Sequence, residues 1–92
     1  MTESVAVLYE KGANWLPGRT LSEQPLQQHV DYLLALHETG QLKMGGPFAD
    51  GSGGLVILSV GNIAEAERLV AEDPAIINRI LMATIQAWNR IV

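Results

Sequence analysis

Ninety-two residues make one small domain, 1–92, in which only about two thirds of the unfolded chain's surface can be buried. With 48% hydrophobic and 17% charged residues and a net charge of -4, the chain holds more apolar side chains than a modest core needs, and its scattered cations offer no footprint for nucleic acid or an anionic membrane surface. The lack of cysteine excludes disulfides and thiolate chemistry. No apolar run reaches the roughly 18 residues of a membrane span, and MTESVAVLYEKG lacks signal-peptide features, so a cytoplasmic protein is expected.

VAVLYE, residues 5–10, is rich in β-formers and reads as the first strand, followed by the loop GANWLPGRT. A helix is then expected from Ser22 as N-cap to Gly40 as C-terminal cap. At 100° per residue Leu26, Val30, Leu33, Leu34 and Leu36 form one arc, with His29 at its margin. His37, in the last turn, is assigned to the helix C-terminus and given no catalytic role. QLKMGGPF and LVILSVG read as strands joined by the turn ADGSGG. Asn62 with Glu65 opens a second helix, IAEAERLVAE, closed by Asp73-Pro74. RILMATIQAWNRIV is read as the last strand, with helix as the competing reading.

The order β-α-β-β-α-β is the ferredoxin-like arrangement, an α+β fold with a four-stranded antiparallel sheet. Both faces of its strands are apolar, yet two helices cover only one face. A second copy packed sheet to sheet is the simplest cover, so a homodimer or higher homo-oligomer is expected.

Following chain direction through this topology brings several groups to one end of the molecule. They are Tyr9, the loop with Trp15, the first turns of the helix with His29, the turn Phe48–Gly54 with Asp50, and the connection from Asp73 to Arg79. His29 and Asp50 are therefore expected to meet, with Tyr9, Trp15 and Phe48 lining a mouth suited to a flat, apolar-bodied substrate. An imidazole beside a carboxylate can accept and return protons near neutral pH. The glycine-dense turn resembles a phosphate loop only in its density of glycines, since no helix opens from it. The histidines and aspartates show no metal-ligand spacing. No metal or cofactor is expected.

HVDYL, with GGPFADGSGG about a dozen residues on and then Asp73-Pro74, resembles the YCII-related (YciI-like) family of the dimeric α/β-barrel superfamily, over roughly residues 5–88. The resemblance implies a His and Asp pair that carries over onto His29 and Asp50. Many relatives have an arginine where this chain has Leu26. It further implies a cofactor-free lyase or isomerase, like a dehydrochlorinase acting on chlorinated hydroxyquinol in aromatic degradation; muconolactone isomerase-like proteins and cofactor-free monooxygenases share the superfamily. The alternative is a non-catalytic dimer that binds a small ligand or serves as an accessory protein, and a haem or oxygen chemistry on the shared fold is the weakest reading.

Overall fold

The computed structural model describes residues 4–92. Strand β1 spans Ser4–Lys11, helix α1 Gln27–Glu38, strands β2 and β3 Leu42–Pro47 and Gly53–Leu58, helix α2 Ile63–Ala71, the short helix α3 Pro74–Ile77, and strand β4 Leu81–Trp88. The sheet order is β2-β3-β1-β4, and every pairing is antiparallel. This is the ferredoxin-like fold that the order of elements implied, and the last segment is a strand, as read.

Register decides which residues face the helices. Val7 pairs with Val56 on one side and Ile85 on the other, and Val5 with Leu58 and Ala87. Because side chains alternate along a strand, Val5, Val7 and Tyr9 point with Val56 and Leu58 toward the helices. All five are buried, packed with Leu36, Leu42, Ala66, Leu69 and Val70. The next residues along each strand, Leu8, Leu55, Met44 and Met82, are exposed on the opposite face.

The first helix differs from its expected form. Thr20, not Ser22, caps a short 3₁₀ turn, Leu21–Glu23, and the chain is extended again at Gln24 (ψ 150°). Pro25 is the reason: its ring clashes with an α conformation at the residue before it, so α1 restarts only after Leu26. The break is braced by Gln24, whose side chain accepts from the Leu16 amide at 2.8 Å and donates to the Leu16 carbonyl at 3.0 Å. At the other end Gly40 takes φ +83°, the Gly40 amide donates to His37 O at 3.1 Å, and the Gln41 amide to Leu36 O at 3.0 Å. Those two bonds form a Schellman motif and stop the helix at the expected glycine.

Asp73-Pro74 does more than close α2. Asp73 caps α3, its side chain accepting from the Ala75 amide, with Pro74 at the first helical position, where an N–H would have no intrahelical acceptor. The turn at 48–53 is tied by the Phe48 amide to Gly53 O at 2.8 Å and the Gly51 amide to Phe48 O at 2.9 Å.

Gly53 pairs with Glu10, and a Cβ built on it would run into the carbonyl oxygen of Tyr9. Gly53→Ala therefore has to part β1 from β3 beside Tyr9, and is expected to cost about 2–3 kcal/mol. The check is the urea midpoint at unchanged m-value.

Candidate functional site

The site is built around a carboxylate that no solvent reaches. Asp73 is 0% exposed and its two oxygens hold three elements together. Oδ1 accepts from the Ala75 amide at 2.9 Å. Oδ2 accepts from the Tyr9 hydroxyl at 3.1 Å. His29 Nδ1 lies 2.9 Å from Oδ1 and 2.8 Å from Oδ2. A buried carboxylate without such partners would be strongly unfavourable. Here the donors come from β1, from the first turn of α1 and from the start of α3, and among the described residues no buried side-chain polar atom is left without a partner.

This arrangement fixes the chemistry of His29. A carboxylate accepts only, so Nδ1 carries the hydrogen and the neutral ring keeps a lone pair on Nε2. The ring of Tyr9 meets that of His29 edge on, with centroids 5.2 Å apart at an interplanar angle of 75°. Burial first, and then the charge of Asp73, push the Tyr9 phenol well above its ordinary range. Tyr9 is thus a fixed donor to Asp73.

His29 and Tyr9 both line a cavity of about 800 Å³ between α1 and the β2–β3 hairpin. Its walls are Leu26 just before α1, Val30, Leu33 and Leu34 from α1, Leu42, Met44 and Pro47 from β2, and Leu55 and Val56 from β3. The apolar arc of α1 is accordingly not all core. Leu36 is buried, whereas Val30 and Leu34 are 44% and 56% exposed, because they face this opening instead of the sheet. Among the lining residues there is no lysine, arginine, aspartate or glutamate.

The expected pairing of His29 with Asp50 is not formed. Asp50 is spent within its own turn, where Oδ1 accepts from the Ser52 amide at 2.9 Å and the Ser52 hydroxyl at 2.6 Å. The hydroxyl and then the amide hold its carboxyl below the ordinary range. An aspartate two residues before a serine in a tight turn closes on the backbone more readily than it reaches across a molecule. Asp50 lines a second, shallower depression with Trp15, Phe48, Lys11 and Arg19. Trp15 and Phe48, expected to line one mouth with Tyr9, line this depression and not the cavity. The ammonium of Lys11 sits 5.3 Å from the centre of the Trp15 ring. The two depressions meet at Leu21, Ser22 and Pro47, which line both.

Chain direction places Asp73 at the same end as His29, but an Asp-Pro step is explained in sequence by the helix boundary alone, and no local signal marks its carboxylate as a partner for the imidazole. No group of three or more His, Cys, Asp or Glu side chains that could hold a metal occurs among the described residues.

The YCII-related domain family matches residues 4–87. The chain belongs to this family. A relative, the uncharacterized protein YjpA of Bacillus subtilis (strain 168), is 28% identical over 68 residues, covering 74% of this chain and 80% of its own length. Among solved structures the fold is shared with the 5-chloro-2-hydroxyhydroquinone dehydrochlorinase (TftG) of Burkholderia phenoliruptrix AC1100, in complex with 2,5-dihydroxybenzoquinone. That likeness has a TM-score of 0.65 at 18% identity and covers 95% of each chain. At such identity it is a likeness of fold.

Two outcomes follow for this YCII-related chain. With Asp73→Asn, Oδ1 still accepts from Ala75 and stays within reach of the His29 Nδ1 hydrogen, but the Tyr9 hydroxyl loses the Oδ2 that accepts from it. The variant is expected to lower the urea midpoint at unchanged m-value, by about 1–3 kcal/mol for the lost buried acceptor. Separately, the unfolded chain ionises its tyrosines near pH 10 while folded Tyr9 does not. Folded protein holds the extra proton there, so stability falls as pH rises above that point, and Tyr9→Phe should show a shallower alkaline decline in urea melts.

Proposed function

We propose that this protein is a small cofactor-free enzyme of lyase or isomerase type, acting on a small aromatic or cyclic compound. In this reading His29 is the acid/base group and Asp73, not Asp50, is its partner. The observation that carries it is the buried Asp73 carboxylate bonded to His29 Nδ1 at 2.8 Å, on a histidine that lines an apolar cavity.

The chemistry follows from the fixed tautomer. Nε2 takes a proton from a phenolic hydroxyl or an acidic carbon, and Asp73 stabilises the imidazolium that forms. In a dehydrochlorination His29 moves the phenolic proton to the ring carbon that carries chlorine, making that carbon tetrahedral. Chloride then leaves with the C–Cl bonding pair as a second hydroxyl gives up its proton, and a quinone remains. The net loss is one proton and one chloride, and no oxidant is needed. An isomerisation uses the first half of the same sequence. The fold shared with a dehydrochlorinase supports this class of reaction, and the apolar walls suit a flat carbon skeleton.

The active unit in this reading is a homodimer. The sheet face away from the helices carries Leu8, Leu55, Met44, Met82 and Trp88, all exposed in one protomer. Pairing that face with a second copy would cover on the order of 800 Å² per partner. Met44 and Leu55 also border the cavity, so the pairing would lie against one of its edges. Sedimentation at micromolar concentration should give a dimer, and Leu8→Glu should shift it to monomer; a folded wild-type monomer would reject this part of the reading.

Turnover of chlorinated and hydroxylated hydroquinones tests the reaction. His29→Ala and Asp73→Asn are expected to lose roughly 10²- to 10⁴-fold in kcat, with Asp50→Asn close to wild type. Equal rates in all four proteins would exclude the mechanism. Tight binding with no turnover by wild type would favour a ligand-binding or accessory role.

A further inference from the structure

The mechanism leaves His37 unused, although it lines the same cavity as His29. Its Nδ1 is 2.9 Å from the carbonyl oxygen of Leu42. A carbonyl only accepts, so Nδ1 carries the hydrogen and the neutral ring again has its lone pair on Nε2. Among the described residues neither Nε2 has a protein partner. Both rings are thus held from behind through Nδ1, one by a buried carboxylate and the other by the first residue of β2. Each is left with one acceptor nitrogen.

The spacing of the two gives a length. Eight residues of helix separate them, about 12 Å along α1, and the wall between them is Val30, Leu33 and Leu34. A single ring held at His29 falls short of that span. We infer that His37 is a specificity-determining residue at the far end of the cavity, and that the substrate is an elongated, apolar-bodied molecule of about two rings with a hydrogen-bond donor at each end. The inference rests on the reading of the cavity as the substrate site. It adds the substrate's length and the chemistry of its second end. A negatively charged far end is disfavoured, since no cation lines the cavity and a lone pair repels an anion.

The test is the affinity of wild-type protein for 4-hydroxybiphenyl, 4,4′-dihydroxybiphenyl and 4-hydroxy-4′-methoxybiphenyl by calorimetry. One added hydrogen bond should favour the diphenol over 4-hydroxybiphenyl by about threefold to tenfold, and the methoxy compound, which cannot donate, should lose that gain. His37→Asn keeps an amide N–H where Nδ1–H was, and so the bond to Leu42, but its one side-chain acceptor, Oδ1, falls in the place of the ring's Cδ2 and leaves none at the place of Nε2. It should melt like wild type and bind the diphenol and 4-hydroxybiphenyl equally well. A diphenol preference that survives in His37→Asn overturns the inference, as does the absence of any preference or of binding in wild type. Should His37→Asn fail to fold, the methoxy comparison on wild type decides. His29→Ala separates the two readings. If it leaves 4-hydroxybiphenyl affinity unchanged, the placement of the reacting hydroxyl on His29 falls, whereas loss of the His37-dependent preference alone removes only the present inference.

Discussion

The structure turns on the burial of one carboxylate. Asp73 sits with no solvent contact, and its desolvation is offset only because β1, α1 and α3 each supply a donor. The three bonds differ in kind: a backbone amide that starts a helix, a phenol held protonated by its surroundings, and an imidazole that faces the cavity on its other side. Removing any one leaves the others bonded, but removing the carboxylate strands two side-chain donors in an apolar interior, a loss of the order of 3–5 kcal/mol. Local folding at the α2–α3 junction and the state of His29 thus depend on the same atoms.

The cavity carries a related compromise. Val30 and Leu34, which could have thickened a small core, instead stand half exposed on α1 around the opening. A chain of this size has little stability to spare, so apolar surface left open is a cost that packing elsewhere must offset. The sheet provides most of that packing. Its inward row of Val5, Val7, Val56 and Leu58 is almost completely enclosed.

Much of this was legible in the sequence, and the exceptions have physical causes. Alternating β-formers, the Asn62 cap and the Gly40 stop located the elements because each is a local signal. The start of α1 differs from the expected Ser22 because Pro25, whose ring restricts the residue before it, outweighs a capping serine. His29 stands out as a polar group at the margin of an apolar face, and it lines the cavity with Nδ1 on Asp73. Its partner did not stand out. Asp50 and Asp73 both arrive at the right end of the fold, and sequence distance does not reveal that one carboxylate is consumed by a serine two residues on while the other faces inward. The Asp-Pro step already explains itself as a helix boundary, which concealed its second role. Trp15 and Phe48 were grouped with Tyr9 by shared location at one end, but alternation within strands and the path of the loop divide that end into two depressions.

The close approach of Gly53 to the Tyr9 carbonyl gives this division a further meaning. In β3 hydrophobicity alone does not set the frame, since sliding by one position would bury Leu55 and Ile57 in place of Val56 and Leu58. A slip of β1 would hand Leu8 or Glu10 to Asp73 and His29 and turn the phenol outward. A backbone contact that tolerates only hydrogen acts as a notch at that point along the ladder. Specificity for one alignment here comes from what is missing at a single α-carbon.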